Sequence, residues 1–262
     1  MGAHGRVRLD KPGETGKRYV LRGAALRRLK LWSPRPAEAL SVVDRDGKPF
    51  RARVTGLDED KGEVLLFEDA PGGSSAPEIT LLQALPGRER MELIIQKIVE
   101  LGVSRIIPFK SERSISLEER ELKQKKAHKW GAVALKASKQ SRRDFLARVF
   151  DYTTFAEVLN EAEGADLKII LWEKERARSI KEVLKEADIF HANENRALKA
   201  AVNKKNAKKI TLLSGPEGGF SEGEIKLARR SGFIPVTLGP GLLRAETAAI
   251  IAVALVMYEL GG

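Results

Sequence analysis

Three segments of the chain follow predicted strand ends and carry glycine, proline or charged residues that suit the binding of a ligand. The first begins at Glu173, the second is residues 214–221 (Ser-Gly-Pro-Glu-Gly-Gly-Phe-Ser), and the third is residues 239–247 (Gly-Pro-Gly-Leu-Leu-Arg-Ala-Glu-Thr). Glycine lets backbone groups approach a ligand closely, and proline stiffens the loop. The amides and carbonyls of such loops can therefore read an adenine edge or the hydroxyls of a ribose.

The second segment also has a purely structural interpretation. Ser221 can cap a helix that begins at Glu222, with Glu224 at the third helical position completing a capping box. That cap leaves four residues of the loop unexplained, namely Gly215, Pro216, Gly218 and Gly219. We expect the segment to serve both purposes.

Other chemistries find little support in the sequence. The chain contains no Gly-x-x-x-x-Gly-Lys-Ser/Thr phosphate loop, and Gly-Pro-Glu-Gly-Gly lacks the spacing of a dinucleotide-binding fingerprint. The absence of cysteine excludes disulfides, thiolate metal sites and cysteine nucleophiles. Because His4, His128 and His191 are scattered along the chain, we expect no metal site.

Charged residues near these segments are further candidates. Arg244 and Glu246 lie among small and apolar residues, so they must pair, face solvent or take part in chemistry; an ion pair or a helix cap is the structural alternative. Lys97 and Glu100, three residues apart on a predicted helix, are explained as a helical ion pair. Arg113 follows a predicted strand end and is the stronger functional candidate.

Strands and helices alternate from residue 78 onwards. We predict strands at 78–82, 104–109, 168–172, 210–213 and 235–238, and helices at 89–101, 117–141, 177–186, 222–230 and 247–260. The alternation indicates an α/β fold with a mostly parallel sheet, because parallel strands need crossover connections. Ligands of such sheets bind beyond the carboxyl ends of the strands, where all three segments fall.

The first part of the chain has a different texture. Residues 18–67 contain short apolar runs separated by turn residues such as Asp46-Gly47, which is typical of β-hairpins. Residues 70–77 are mostly glycine, serine and proline, as in a linker. The sequence therefore predicts a small β-rich domain over residues 1–72 and a second domain over residues 78–262.

The chain is strongly basic. It has 47 Lys and Arg against 36 Asp and Glu, a net charge of +11, and the excess is concentrated in residues 1–35 and 97–148. This charge favours nucleic acid as the partner, with a solvated lysine-rich surface of the thermophile type as the alternative. No apolar run has the length of a signal peptide or membrane span, so we predict a soluble cytoplasmic protein without a membrane partner.

Four ordered motifs resemble those of the RsmE-type uridine-N3 methyltransferases, a branch of the SPOUT superfamily that acts on 16S ribosomal RNA of the small subunit. They are residues 96–103 (Gln-Lys-Ile-Val-Glu-Leu-Gly-Val), 111–114 (Ser-Glu-Arg-Ser), 213–221 (the second segment with its preceding leucine) and 238–248 (the third segment with its flanking residues). The resemblance covers residues 78–262 well and the first seventy residues only loosely.

The resemblance implies an S-adenosylmethionine-dependent enzyme with an α/β SPOUT domain whose C-terminal chain forms a trefoil knot. A small PUA-like β-barrel that binds RNA would precede it. It further implies a homodimer, with the knot region and the last helix at the interface, and a substrate that is 16S RNA, free or within the 30S subunit.

The cofactor contacts follow from the same resemblance, whereas the roles of the charged residues are inferred from their charge and their place in the chain. The implied cofactor contacts are Leu171, Trp172, Leu213, Gly215, Pro216, Glu217, Gly218, Gly219, Leu238, Gly239 and Leu243. Arg244 would orient the uracil or stabilise developing charge, and Glu246 would anchor its loop by accepting backbone N–H groups. The candidates for RNA binding are Arg6, Arg27, Arg28, Arg113, Arg142 and Arg143.

The chain also departs from the family pattern. Phe145 stands in a stretch where the family usually has a proline, and the customary Val-Leu-Arg element near the N-terminus is at best Leu29-Lys30-Leu31. The alternative function is a knotted RNA-binding or ribosome-assembly protein that has lost catalysis. The intact glycine loops argue against it, because a pure binding module needs no cofactor pocket.

Overall fold

The computed structural model describes residues 7–70, 77–86, 88–114, 129–141, 145–189 and 209–260. These residues form two compact units. The described part of the first unit is residues 7–70, 134–141 and 145–147, and the remaining described residues belong to the second. The sequence prediction counted residues 134–147 with the second domain. Their place in the first unit reflects specific contacts: Leu146 packs against that unit's core, and Lys139 pairs with Glu38 at 3.0 Å.

The first unit is built on a five-stranded sheet. Its strands are β1 Val7–Arg8, β2 Arg18–Leu21, β3 Ala39–Val43, β4 Pro49–Leu57 and β5 Gly62–Asp69. They lie in the order β1-β3-β4-β5-β2, with β1 parallel to β3 and the other pairs antiparallel. The predicted β-rich texture is confirmed for this unit.

One helix of the first unit was not predicted. Helix α1, Gly23–Leu31, connects β2 to β3. It buries Leu26 and Leu29 and carries Arg27, Arg28 and Lys30. Two buried leucines in a nine-residue helix give too weak a periodic signal for sequence reading.

The second unit alternates strands with helices, as predicted. Its elements, with α3 continuing into the first unit, are β6 Glu78–Ala84, α2 Arg88–Leu101, β7 Arg105–Lys110, α3 Trp130–Gln140, β8 Arg148–Val149, β9 Thr153–Thr154, α4 Phe155–Asn160, β10 Leu167–Leu171, α5 Ile180–Ile189, β11 Lys209–Ser214, α6 Glu222–Arg230, β12 Ile234–Val236 and α7 Ala245–Leu260. The first part of the basic helix predicted over residues 117–141 lies outside the described residues.

All strand pairs described in the second sheet are parallel. The strand order is β12-β10-β11-β6-β7-β8, and β9 also pairs with β7. The three strands followed by the candidate segments, β10, β11 and β12, are therefore neighbours. Because parallel strands end at the same edge, this order brings the three segments together.

Two structural features fix the start of the helices near that edge. Helix α5 begins three residues later than predicted, since the Ser179 hydroxyl and the Glu182 carboxylate exchange hydrogen bonds with each other's backbone N–H. Helix α6 has the predicted capping box between Ser221 and Glu224. Such caps satisfy N–H groups that a helix start leaves open.

Helix α7 is apolar around most of its surface and packs against α2, α5 and β11. Its buried residues include Ala249, Ala252 and Val253, whereas Tyr258 is 82% exposed. Within the described ranges, no helix combines the length and apolar character that a membrane crossing requires.

Candidate functional site

The three segments enclose one cavity of about 750 Å³ at the carboxyl edge of the parallel sheet. Its wall comes from the residues that follow β10, β11 and β12, and from the start of α7. The volume is in the range of pockets that hold small-molecule ligands and cofactors. The structure thus brings the three segments together around one cavity.

The second segment approaches the cavity with its backbone. Gly219 has φ +68, a conformation that favours glycine, and a Cβ there would lie 2.5 Å from Glu173 Oε1. A Cβ on Gly218 would lie 3.2 Å from Arg113 Cβ. Glycine is therefore favoured at position 219 by its backbone conformation, and a side chain there would displace the Glu173 carboxylate. At position 218 a side chain would require Arg113 to shift by a few tenths of an ångström.

Phe220 anchors the end of the same segment in the core. Its ring is parallel to that of Phe109 at a centroid distance of 6.5 Å and lies 6.0 Å from that of Phe155. The Phe220 side chain is 1% exposed. A buried aromatic residue directly after the glycines keeps the loop from moving away from the sheet.

Glu224 links the second segment to the loop after β7. Its Oε1 accepts hydrogen bonds from Ser111 Oγ at 2.8 Å and from the Glu112 backbone N–H at 3.0 Å. Its Oε2 accepts from the Ser221 N–H at 2.9 Å. The side chain is 6% exposed, so this carboxylate is satisfied by protein donors rather than by bulk water.

The link brings Arg113 to the cavity loop. Arg113 Nη1 donates to the carbonyl oxygen of Gly218 at 3.0 Å. The sequence had offered Arg113 as an RNA-binding residue, and the structure places its guanidinium on the glycine segment. Motifs that are more than a hundred residues apart in sequence thus form one site.

The third segment forms the opposite wall. Gly239 has φ +134, which again favours glycine, and its N–H donates to Thr237 Oγ1 at 3.2 Å. Leu242 is 85% exposed beside the cavity. Arg244 lines the cavity and is exposed, so its charge is available to a bound polyanion or base.

Trp172 provides a half-buried aromatic wall. It lines the cavity, and its ring also packs against the core that contains Phe220. Arg229 Cζ lies 5.8 Å from the ring centroid. The indole Nε1 is buried without a hydrogen-bond partner among the described residues. An unsatisfied donor in a cavity wall is a group that a ligand can satisfy.

Most predicted cofactor residues lie together, with one exception. The cavity is lined by Leu171, Trp172, Gly215, Pro216, Glu217, Gly218, Gly219, Leu238, Gly239 and Leu243. Leu213 is absent from the described lining and is fully buried in the core beside Leu82 and Ile170. Its side chain supports the strand from which the loop starts.

The two predicted catalytic residues differ in their surroundings. Arg244 faces the cavity, whereas Glu246 lies behind it in the first turn of α7, with a side chain that is 13% exposed. Among the described residues, no donor bonds to Glu246 Oε2. The carboxylate instead lies 3.8 Å from Arg90 Nε. The expected bonds from backbone N–H groups are therefore not found at this oxygen.

The predicted RNA-binding arginines are only partly described. Arg27 and Arg28 are exposed on α1 in the first unit, beside Ala24 and Leu31. The other three candidates, Arg6, Arg142 and Arg143, lie outside the described residues.

The sequence named Glu173 only as the start of the first segment, and it missed three other charged residues of the cavity wall, which are Arg90, Lys174 and Arg176. Glu173 and its neighbours directly follow β10, so their place after a strand end was a usable signal. Arg90 lies in the first turn of α2, far from the segments in sequence, and carries no such signal.

Comparison with known proteins identifies the class. The RNA methyltransferase domain family matches residues 74–257. This match covers the second unit as far as residue 257, including every residue of the cavity wall. The chain therefore belongs to the RNA methyltransferase domain family.

Individual relatives narrow the comparison. The chain is 28% identical to ribosomal RNA small subunit methyltransferase E of Bacillus subtilis over 224 residues, covering 85% of this chain and 82% of the relative. It is also 28% identical to the enzyme of that name from Aquifex aeolicus, covering 92% and 95%. A crystal structure of the Neisseria gonorrhoeae enzyme of that name, bound to S-adenosylmethionine, matches with a TM-score of 0.62 and 30% identity, covering 97% and 96%.

Proposed function

We propose that this protein transfers the methyl group of S-adenosylmethionine to N3 of a uridine in 16S RNA of the small ribosomal subunit. The observation that carries the proposal is the cavity formed at adjacent strand ends by three loops, two of which contain glycines. Membership of the RNA methyltransferase family and the likeness to a relative that binds this cofactor support it.

The cavity suits the cofactor chemically. Gly215, Gly218 and Gly219 give backbone amides and carbonyls access to an adenine edge or ribose hydroxyls. Trp172 offers an aromatic wall and an unsatisfied N–H. When bound, S-adenosylmethionine supplies an electrophilic methyl group on a sulfonium centre.

The remaining chemistry belongs to the chain and the base. N3 of uridine carries a hydrogen, so its lone pair becomes available only when that imide is deprotonated. Nearby positive charge lowers the pKa of such a group because it favours the anion. Arg244 lines the cavity and is exposed, which makes it our candidate for orienting and stabilising the uridine anion. Glu246 lies at the start of α7, and its proposed role is to hold that part of the chain in place.

The first unit is proposed to be a PUA-like module that binds RNA, with boundaries near residues 1–72. Its five-stranded sheet and the exposed Arg27 and Arg28 support this role, because phosphate contacts need charge more than exact geometry. The second unit is proposed to be a SPOUT domain with a C-terminal knot. Strand β10 lies between β11 and β12, so the strands at the C-terminal end of this unit are not arranged in sequence order. This arrangement is compatible with a knot.

A homodimer is proposed as the working form, in the cytoplasm where ribosomal RNA is available. Apolar side chains exposed on the third segment and α7 support an interface there, notably Leu242, Ile251 and Tyr258. The alternative of an RNA-binding protein that has lost catalysis is not favoured, because a pure binding module needs no cofactor pocket and the second unit has a cavity of suitable size.

The first test is calorimetric titration of the full chain with S-adenosylhomocysteine. We expect micromolar binding by the wild type and loss of binding in Gly218→Arg, since a long side chain there enters the space beside Arg113. Incubation with 16S RNA and labelled S-adenosylmethionine, followed by nucleoside mass spectrometry, should then yield 3-methyluridine. Failure of the wild type to bind would reject the proposal, and methylation of another base would reject the N3 assignment.

A further inference from the structure

Arg90 contacts two of the elements that form the cavity. Its Nη1 donates to Glu217 Oε1 of the second segment at 2.6 Å. Its Nε lies 3.8 Å from Glu246 Oε2 at the start of α7. A guanidinium carries donors on separate nitrogens in one rigid plane, so the single side chain of Arg90 can contact both carboxylates.

The two carboxylates differ in burial. The side chain of Glu217 is 33% exposed, whereas that of Glu246 is 13% exposed. Glu246 Oε2 has no hydrogen-bond donor within the described part of the chain. A largely buried carboxylate of this kind depends on nearby positive charge. Arg90 supplies that charge and also extends to the glycine segment on the other side.

We propose that Arg90 is a positioning residue that holds the second segment and the start of α7 at the separation required for cofactor binding. The inference rests on the proposed function, because it assumes that the cavity is the cofactor site. Helix α2, which carries Arg90, packs against α7. The side chain therefore connects a helix of the core to the second segment.

The expected size of the effect follows from exposure. An ion pair in which both side chains are partly exposed is a weak interaction. It raises the population of the ordered state by a factor of up to about five. Loss of the contact lowers the fraction of molecules that can bind, and the apparent Kd rises by the same factor. We expect Arg90→Met to bind S-adenosylhomocysteine about two- to fivefold more weakly than the wild type.

A double-mutant cycle distinguishes positioning from direct contact with the ligand. Arg90→Met, Glu217→Gln and the double variant are titrated with S-adenosylhomocysteine. If Arg90 acts through Glu217, the double variant binds no more weakly than the weaker single variant. Independent losses that multiply would overturn the proposal, because they would mean that the contact between Arg90 and Glu217 does not hold the second segment in place. Arg90→Lys should restore only part of the affinity, since one ammonium cannot reach both carboxylates as the planar guanidinium does.

Lys97→Met is the matched control. Lys97 lies on the same helix and pairs with Glu100 at 3.1 Å, so this variant removes an equal charge and an ion pair outside the cavity. We expect its affinity for S-adenosylhomocysteine to equal that of the wild type. Wild-type affinity in a folded Arg90→Met variant would overturn this inference alone, whereas a wild type that does not bind would overturn the proposed function.

Discussion

At the scale of single residues, Gly219 is the most constrained position of the cavity. It combines φ +68 with a close approach to Glu173. Alanine at this position costs about 1 kcal/mol for its backbone conformation and also displaces the Glu173 carboxylate. We expect Gly219→Ala to lower the free energy of unfolding by about that amount and to weaken S-adenosylhomocysteine binding, as measured by urea denaturation and calorimetry.

Gly47→Ala separates the two effects of that substitution. Gly47 has φ +90 in a turn of the first unit, and a Cβ there meets nothing within 4 Å. The variant should therefore lose similar stability without loss of cofactor affinity. Equal weakening of binding in both variants would show that general destabilisation, and not the cavity, is responsible.

The sequence identified cavity residues where a local rule applied. It failed where the tertiary structure determines which residues lie at the cavity. Gly218 and Gly219 were predicted because several glycines beside a proline exceed the needs of a turn. Leu213 was predicted by motif position, yet strand alternation turns its side chain into the core. Arg90 was missed because nothing in its local sequence shows that α2 starts next to the second segment.

At the scale of elements, the buried Glu224 joins the start of α6 to the loop after β7. Glu224→Gln keeps the shape but replaces one carboxylate oxygen by an N–H donor, which faces donors from Ser111, Glu112 or Ser221. Loss of buried hydrogen bonds to a charged group costs about 1.5–3 kcal/mol. We expect a loss of that order in the free energy of unfolding, together with weaker S-adenosylhomocysteine binding because Arg113 loses its support.

Glu157 provides the matched control for the Glu224 substitution. It completes the same kind of capping box with Thr154 at the start of α4, and it is exposed. Glu157→Gln should cause a smaller loss of stability and leave cofactor affinity unchanged. If the two variants reduce affinity equally, the link from Glu224 to the Arg113 loop has no role in the site.

Glu157 also predicts a pH dependence. Hydrogen bonds from Thr153 and Thr154 lower the pKa of this carboxyl from 4.5 to about 2. Since the folded pKa is depressed, the stabilisation is present above the unfolded value and is lost as the pH falls from about 4.5 to about 2. The stability difference between wild type and Glu157→Gln, measured by denaturation at several pH values, should shrink across this window. A difference that stays constant would contradict the assignment.

Element types were predictable in the second unit because its strands are continuous apolar runs and its helices are periodic. Boundaries were less so: α5 starts at Ile180 because Ser179 and Glu182 form a cap, a signal that the apolar pattern does not contain. Helix α1 was missed because the short apolar runs and turn residues around it indicated β-hairpins. Local caps and context thus limit what periodicity alone can specify.

At the scale of the whole molecule, strand order is the main feature that the sequence did not specify. Alternation predicted a parallel sheet, but it does not state that β10 lies between β11 and β12. That order makes the three segments neighbours at the carboxyl edge of the sheet, where they form the cavity. The contacts between the three segments join residues that are distant in sequence, so local patterns could not predict them. The expectation that the segments meet came from the family resemblance.

Because the chain has a net charge of +11, we expect its binding to RNA to depend on the salt concentration. This dependence is a property of the whole molecule. Each phosphate contact contributes about 0.7 to 0.9 to the slope of log K against log salt. If Arg27 and Arg28 both contact phosphate, Arg27→Ala/Arg28→Ala should reduce the slope by about 1.4 to 1.8. Fluorescence anisotropy with labelled 16S RNA at several salt concentrations measures this slope.

Lys181→Ala/Lys185→Ala removes the same charge from exposed positions on α5. Because these lysines lie outside the proposed RNA surface, we expect this variant to keep the wild-type slope, although its net charge equals that of the arginine variant. A similar decrease in both variants would mean that RNA responds to overall charge and not to a surface on α1. A slope unchanged in both would place the phosphate contacts elsewhere on the chain.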